Sequence, residues 1–223
     1  MRFFVRFLAA ALAILLSTDA ISAQKFELKK GDHICIVGNA LAERMQYFGW
    51  LETHLQTRFP NHQLVVRNLG FSGDEIKTRL RSANFGSPDE YLKLHRADVI
   101  FAFFGFNESF AGKNGVEQFK KDLTDYIDHV RSQKYNGSNP PRVVLFSPVA
   151  HENLRTKGVP PYRLPLAKGE KGGWPDLPDG RENNERIRLY SEAMAEVGQE
   201  NEYRFRRSLQ RQQTALRRVR HTH

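Results

Sequence analysis

This sequence of 223 residues has very little cysteine and no long apolar run beyond its first residues. Its single cysteine, Cys35, cannot form an internal disulfide, so a packed core must supply the stability. Because Cys35 lies in the apolar run Ile34–Val37, we expect a small buried side chain there. Internal repeats and low-complexity blocks are lacking, and the length suits one domain.

Histidines with metal-ligand spacing are also lacking. His33, His54, His62 and His95 stand at intervals that do not match a zinc site. The sequence therefore predicts no metal site.

The N-terminal residues differ from the rest of the chain. Arg2 and Arg6 give a positive start, Phe7–Leu16 is an apolar run, and Ala20 and Ala23 are candidate cleavage points. This pattern is typical of a secretory signal peptide, and the run is short for a membrane span of ~20 residues. We predict a signal peptide over residues 1–23 and export to the periplasm or outside the cell, with no stable membrane span after cleavage. An uncleaved anchor is the alternative.

Positive charge is concentrated at the C-terminus. The net charge is +9, and residues 200–223 hold seven arginines against Glu200 and Glu202. Since the excess lies largely in this tail, we expect no nucleic-acid partner. Residues 199–223 are predicted to be a basic, disordered tail. The tail is either an appendage that binds acidic polymer or membrane phosphate or, as we favour, the product of a shifted reading frame.

Hydrophobic patterning predicts alternating strands and helices. Short apolar runs predict strands at His33–Val37, Leu64–Val66, Val99–Phe104 and Arg142–Phe146. Helical spacing is found at Leu41–Arg58, at Glu75–Arg81, from Gly115 to Val130 and at Asn183–Val197. Residues 150–182 are rich in Gly, Pro and charge, which predicts a long loop.

This order predicts an α/β fold in which helices cover both faces of a parallel sheet. Ligands of such sheets bind outside the carboxyl ends of the strands. The segments there are Gly38–Ala40, Asn68–Asp74, Gly105–Ser109 and Ser147–Glu152. Asparagine amides and glycine N–H groups can donate to an oxyanion. The same residue types also close ordinary strand-to-helix turns.

Three of these segments, taken in chain order, resemble the sequence blocks of the SGNH (GDSL-type) hydrolase superfamily. Gly38–Leu41 stands where Gly-Asp-Ser-Leu is usual, Asn68–Asp74 resembles the second block, and Gly105–Glu108 resembles the third, Gly-x-Asn-Asp. The chain is most similar to a secreted bacterial branch. The resemblance implies an SGNH hydrolase-like domain over residues 30–198 with the three-layer α/β/α, flavodoxin-like fold of that superfamily.

The resemblance also implies the chemistry. Its members hydrolyse carboxylic esters, of lipids or acetylated carbohydrates, through a covalent acyl-enzyme and without metal or organic cofactor. A serine attacks, a histidine takes its proton and an aspartate orients the histidine. The oxyanion donors of the superfamily correspond here to Gly73 and Asn107. The residues expected to contact the small-molecule or carbohydrate ester are Gly38, Asn39, Ser72 and His151.

The sequence departs from this pattern at the nucleophile. The position of the serine is occupied by Ala40, and Asn39 precedes it in place of Asp. In serine proteases, loss of one triad member costs on the order of 10⁴ to 10⁶ in rate. Ser72 belongs to the second block, which carries the oxyanion donor Gly73. The sequence shows no base that would activate it, so we do not assign Ser72 as the replacement nucleophile.

A second departure concerns the late Asp-x-x-His block. None of the eight histidines has an aspartate three residues before it. The arginine- and glutamine-rich stretch after Val197 is not the pattern of a buried strand, so we expect the sheet to lack its last strand.

These observations leave three functions open: an ester hydrolase of greatly reduced activity, a non-catalytic extracytoplasmic binding module, and a truncated or frame-shifted gene product. His151–Glu152 is interpreted as a local loop pair, with His151 kept as a pocket residue. Glu108 is interpreted as local support for its turn.

Overall fold

The computed structural model describes residues 26–79, 84–153, 179–200 and 204–206. The predicted signal peptide, most of the predicted 150–182 loop and residues 207–223 lie outside the described residues.

A five-stranded parallel sheet forms the centre of the molecule, with the strands in the order β2-β1-β3-β4-β5. The strands are β1 (His33–Gly38), β2 (Val65–Asn68), β3 (Val99–Phe103), β4 (Arg142–Phe146) and β5 (Arg204–Arg206). Every neighbouring pair is parallel. The predicted α/β class and parallel sheet are confirmed.

Five helices of the described residues surround the sheet. They are α1 (Ala40–Phe48), α2 (Trp50–Arg58), α3 (Pro88–Leu94), α4 (Val116–Ser132) and α5 (Arg181–Glu200), with short 3₁₀ turns at Glu108–Ala111 and Lys113–Gly115. In the part of the chain that the structure describes, no helix is long and apolar enough to cross a membrane.

The core has two halves because successive strand side chains point to opposite faces of the sheet. One half packs strand residues such as Cys35, Ile100 and Leu145 against α4 and α5. The other packs Ile34, Phe101 and their neighbours against α1 and α2. The sheet is therefore covered on both faces, which is the three-layer arrangement that the resemblance implies.

Helix α4 shows how the pattern specifies the packing. Its buried residues are Phe119, Leu123, Ile127 and Val130, spaced by four, four and three. This spacing places them on one stripe of a helix. Each large apolar side chain contributes about 1.5–3 kcal/mol when it is fully buried. The stripe therefore fixes which side of α4 faces the sheet.

The predicted helix over Leu41–Arg58 is two helices. Gly49 has φ +60° and separates α1 from α2. Its backbone N–H donates to the carbonyl of Met45, which ends α1 as a left-handed C-cap. A glycine inside a helical pattern often marks such an end.

The short helix predicted at Glu75–Arg81 is not found in its described part, residues 75–79. A helix lies farther along, at Pro88–Leu94. Ser87 and Glu90 form a reciprocal capping box at its start, and Pro88 occupies its first turn. The Ser-Pro-Asp-Glu sequence is the signal for this start, and it outweighs the weak spacing at residues 75–81.

The sequence predicts no strand after Val197, and the structure differs here. Helix α5 continues to Glu200, and Arg204–Arg206 pairs parallel with Val144–Phe146. Strand pairing uses backbone N–H and C=O groups, and an edge strand needs no burial on both faces. A basic composition therefore excludes a buried central strand but does not exclude a three-residue edge strand.

Candidate active site

The carboxyl ends of β1 and β3 meet at one edge of the sheet. The backbone N–H of Asn39 donates to the carbonyl of Phe103 over 3.2 Å. The backbone N–H of Phe71, in the segment after β2, donates to the carbonyl of Gly38 over 2.9 Å. The turns that follow the first three strands therefore start from one place, as the parallel order requires.

Gly38 makes the close approach of β1 and β3 feasible. Its φ is +130°, and a Cβ placed on it would lie 2.1 Å from the carbonyl oxygen of Phe103. A side chain cannot fit in that space, so glycine is required by both conformation and packing. Gly38 thus shapes the backbone of the site.

Asn39 and Ala40 begin helix α1. Asn39 is buried and acts as the N-cap: its Oδ1 accepts from the backbone N–H of Leu41 over 3.2 Å. Ala40, the first residue of the helix, is exposed. Asparagine is a favoured cap, so it keeps the helix start in place where the superfamily has aspartate. The methyl group of Ala40 stands where the resemblance places the nucleophile, and a methyl group cannot attack a carbonyl.

The segment after β2 packs directly on the first turn of α1. A Cβ on Gly70 would lie 2.5 Å from the Cβ of Ala42 and 2.7 Å from the nitrogen of Glu43. Asn68 holds the two elements together: its Nδ2 donates to the carbonyl of Ala42 over 2.6 Å and its Oδ1 accepts from the N–H of Gly70 over 2.9 Å. The segment therefore has a fixed position against α1.

Ser72 is exposed and bonds to Glu43 of helix α1. Its backbone N–H donates to Glu43 Oε2 over 3.1 Å, and its hydroxyl donates to the same oxygen in a short contact. Sequence reasoning missed this carboxylate because 29 residues separate it from Ser72. The only sequence signal was its place three residues after Ala40, on a helix that starts at the site.

The two predicted oxyanion donors lie on adjoining turns, because Asn107 contacts the residue that follows Gly73. Gly73 has φ +89° and sits in the turn that leads to Asp74. The Asn107 side-chain amide points at the carbonyl of Asp74, with 3.5 Å between Nδ2 and O. This distance is at the long limit of a hydrogen bond, so the amide remains able to donate to a stronger acceptor. The oxyanion role of both residues stays a prediction.

Ala40 and Asn107 face different spaces. Asn39 and Ala40 line an apolar pocket together with Phe106. Asn107, the next residue, lines a neighbouring cavity of about 380 Å³ with Glu75 and Glu108. The Phe106–Asn107 pair therefore separates the two spaces.

The apolar pocket has a volume of about 230 Å³. Four phenylalanines, the three residues that follow β4 and the start of α1 line it. They are Phe103, Phe104, Phe106 and Phe146, then Ser147, Pro148 and Val149, then Asn39, Ala40, Leu41 and Arg44. The rings of Phe103 and Phe146 stack at 4.4 Å between centroids. Three of the four strand-end segments that the sequence singles out thus contribute to this pocket beside Ala40, whereas Asn68–Asp74 does not line it.

Glu108 connects the second and third blocks. Its Oε2 accepts from the N–H of Gly105 over 2.8 Å, and its Oε1 accepts from the N–H of Ile76 over 3.0 Å. Burial raises the pKa of the Glu108 carboxyl above its usual range, against the lowering effect of these hydrogen bonds. The predicted support of its own turn is confirmed, and the bond to Ile76 extends it to the segment after β2.

Arg79 also contacts the segment after β2, through an ion pair with Asp74. Its guanidinium lies 3.5 Å from Asp74 Oδ2 and 4.5 Å from the centroid of the Phe104 ring. Both charged side chains are largely buried, which makes the pair less screened by salt than a surface pair. This contact was not predictable from the sequence, because Arg79 lies inside the short helix predicted at residues 75–81.

His151 is held by the start of α5. Asn184 binds its backbone on both sides: Oδ1 accepts from the N–H over 2.7 Å and Nδ2 donates to the carbonyl over 3.0 Å. The His151 Nδ1 lies 2.8 Å from the carbonyl oxygen of Glu152. These local contacts agree with the interpretation as a loop pair; contact with substrate stays a prediction.

Cys35 is fully buried, and burial raises the pKa of its thiol to about 12. The expected small, buried side chain is confirmed. Among the described residues, no three histidine, cysteine, aspartate or glutamate side chains lie close enough to hold a metal ion.

The sequence of this chain also matches a known protein family. The GDSL-like Lipase/Acylhydrolase family matches residues 31–216, which is most of the chain. The chain belongs to this family. The match extends through β5, and it contains all three blocks on which the resemblance rests.

Solved structures show the same fold as this GDSL-like chain at low sequence identity. A catalytic mutant of an acetylxylan esterase from Geobacillus stearothermophilus has a TM-score of 0.54 at 11% identity, over 81% of this chain and 77% of that one. The aryl esterase from M. smegmatis has a TM-score of 0.51 at 12% identity, over 79% and 84%.

A gut microbial diltiazem-metabolizing enzyme has a TM-score of 0.53 at 19% identity, over 84% of this GDSL-like chain. The chain covers 39% of that protein's length. A search of curated proteins finds no match.

Proposed function

We propose that this protein hydrolyses carboxylic esters with small acyl groups. One observation carries the proposal: the start of α1, where Ala40 stands, opens on the apolar pocket of about 230 Å³. Membership of the GDSL-like family supports ester hydrolysis as the reaction class. The pocket supports an acyl group as the part of the substrate that enters it.

The size and lining of the pocket favour a short acyl chain. Pockets for drug-sized ligands are roughly 300–1,000 Å³, so this one suits a smaller group. Phenylalanine rings cover much of its wall, and each buried CH₂ of a ligand gains about 0.8 kcal/mol. We therefore expect short unbranched acyl esters to be better substrates than acetate esters.

Gly73 and Asn107 are proposed as the oxyanion donors. They lie on adjoining turns, and the long contact between Asn107 and the Asp74 carbonyl leaves the amide able to rotate toward a developing negative charge. Hydrogen-bond donors that reach the developing charge stabilise the transition state.

A non-catalytic binding module is the second candidate, and Ala40 is the observation that favours it. Such a module would keep the pocket for an acetylated or acylated carbohydrate and would release it unchanged. The solved acetylxylan esterase with the same fold supports carbohydrate esters as ligands for either candidate.

Hydrolysis of p-nitrophenyl acetate, butyrate and octanoate separates the two candidates. An ester hydrolase releases p-nitrophenol above the buffer rate, with butyrate favoured over acetate. A binding module gives the buffer rate with all three esters while acetylated xylo-oligosaccharides still raise its melting temperature.

Export is proposed from the N-terminal pattern of residues 1–23. Expression in a bacterial host followed by N-terminal sequencing of the periplasmic fraction tests it. A mature protein that begins within a few residues of Ala23 is the expected result, and a full-length protein retained in the cytoplasm would contradict the proposal.

A further inference from the structure

We propose that Ser72 is the nucleophile of this protein and that Glu43 accepts its proton. The proposal rests on the proposed ester hydrolysis and supplies the attacking group that Ala40 lacks. It names two residues on neighbouring segments, one on the turn after β2 and one on α1.

The hydrogen bonds of Ser72 carry the proposal. Glu43 Oε2 accepts from both the hydroxyl and the backbone N–H of Ser72. A serine hydroxyl becomes a nucleophile when a base within hydrogen-bond reach can take its proton. Ser72 is exposed, so a substrate can reach its oxygen.

The fold fixes this pair in place. Gly70 packs against the backbone of Glu43, and Phe71 is held by the carbonyl of Gly38 at the end of β1. Ser72 follows these two anchored residues directly. Both members of the pair are therefore positioned by segments that pack against each other, and the contact does not depend on an isolated surface side chain.

The pair lies beside the nucleophile position of the superfamily. Glu43 is three residues after Ala40 on the same helix, and such residues are neighbours with roughly 5–6 Å between their Cβ atoms. Arg44, the next residue, lines the apolar pocket with Ala40. Neither Ser72 nor Glu43 lines the pocket itself, so the proposal places the acyl group in the pocket and the ester group outside it, along the first turn of α1 toward Ser72.

Gly73 then stands directly after the nucleophile. In many serine hydrolases the backbone N–H of the residue after the nucleophile is one of the oxyanion donors. Assigning the attack to Ser72 therefore keeps Gly73 in its proposed role, with Asn107 on the adjoining turn as the second donor.

The reaction is balanced with these two residues and water. Ser72 Oγ forms a bond to the acyl carbon while its proton passes to the Glu43 carboxylate. The tetrahedral intermediate collapses, the bond to the alcohol oxygen breaks, and the alcohol leaves with the proton from Glu43. Water then attacks the acyl-serine and gives its proton to Glu43, which returns it to Ser72 Oγ as the carboxylic acid is released.

Three variants and a chemical label test the assignment in the full-length protein. Ser72→Ala is expected to lower kcat/KM for p-nitrophenyl butyrate by about 10³-fold or more. Glu43→Gln is expected to lower it by about 10²–10⁴-fold, and Glu43→Asp should recover part of that loss. Ser138→Ala, at an exposed serine in a turn far along the chain, is the matched control and should keep the wild-type rate.

A fluorophosphonate provides a readout that a structural role would not give. The Ser72 oxygen displaces fluoride and forms a stable phosphonate ester, which peptide mapping by mass spectrometry locates. Labelling at Ser72 that is lost in Glu43→Gln supports the proposal. If Glu43 only tied the turn to α1, its variants would lower the melting temperature without changing which residue is labelled.

The outcomes separate this inference from the proposed function. Wild-type hydrolysis that persists in Ser72→Ala overturns the assignment of Ser72 and leaves ester hydrolysis standing. A wild-type protein that neither hydrolyses the esters nor takes up the label overturns both.

Discussion

The carboxylate of Glu108 accepts a hydrogen bond from the backbone N–H of Ile76 over 3.0 Å, although 32 residues separate the two. The same carboxylate also accepts from Gly105. The turns after β2 and β3, which carry Gly73 and Asn107, are therefore held at a fixed separation by one side chain.

Glu108→Ala should destabilise the protein. The variant leaves the N–H groups of Ile76 and Gly105 without their acceptor, and an unsatisfied buried polar group costs about 1–3 kcal/mol. Chemical denaturation should show a decrease of that size in the free energy of unfolding. Glu117→Ala, at a glutamate whose side chain is 85% exposed, should change it by no more than about 0.5 kcal/mol. Equal effects of the two variants would contradict a bracing role.

Stability should also depend on the ionisation of Glu108. Burial raises the pKa of this carboxyl in the folded protein above its value of 4.5 in the unfolded chain, so the folded state binds the proton more tightly. The stability from this group is present below pH 4.5 and is lost as the pH rises through the raised pKa. Glu108→Gln, which cannot ionise, should lack this part of the pH dependence in a series of thermal melts. A variant curve parallel to the wild-type curve would contradict the assignment.

Gly38→Ala should disrupt the close approach of the β1 and β3 backbones. The left-handed conformation costs an alanine about 1–2 kcal/mol, and the clash with the Phe103 carbonyl about 1–3 kcal/mol more. Gly137 is the matched control, because its φ is +84° but a Cβ there would meet no atom within 4 Å. The free energy of unfolding should therefore fall more for Gly38→Ala than for Gly137→Ala. A similar loss at both positions would show that the close approach is unimportant.

Asn107→Ala should impair catalysis more than binding. Removing one oxyanion donor lowers kcat by about 10²–10³-fold, because the amide acts on charge that develops in the transition state. Steady-state kinetics with p-nitrophenyl butyrate should therefore show a reduced kcat at a similar KM. Asn114→Ala, at an exposed asparagine in the following 3₁₀ turn, is the control. A wild-type kcat in Asn107→Ala would remove this residue from the site.

Val149→Trp should change the preference for acyl length. Val149 lines the apolar pocket, so a larger side chain reduces the space available to the acyl group. Each CH₂ that enters the wild-type pocket should improve kcat/KM by about fourfold, from about 0.8 kcal/mol of burial. The variant should lose the preference for butyrate over acetate and keep its rate with acetate. Leu94→Trp, at a leucine that is 70% exposed, should leave the preference unchanged.

Much of the fold was predictable because local patterns and burial agree along most of the chain. The strands around Ile34, Phe101 and Val144 are continuous apolar runs, which are typical of a parallel sheet covered on both faces. The two elements that were not predicted are ones with weak side-chain patterns, whose formation depends on backbone contacts. The helix at Pro88–Leu94 depends on a cap, and β5 depends on pairing at a sheet edge.

The candidate site was predictable only in part. The order of the strand-end turns indicated Gly38, Gly73 and Asn107, because parallel strands place those turns on one edge. The partners of these turns were not predictable. Glu43 and Arg79 contact residues that are close in space through the packing of whole segments, which no spacing in the sequence encodes.

The sequence alone determined the α/β class, the order of the blocks and the absence of a serine at residue 40, because these follow from residue type and periodicity along the chain. The tertiary structure decided that Ser72 meets a carboxylate and that Ala40 borders an apolar pocket. The physical reason is that both relationships arise where α1 and the turns after different strands pack together, and such long-range packing is fixed by the shape of the assembled core.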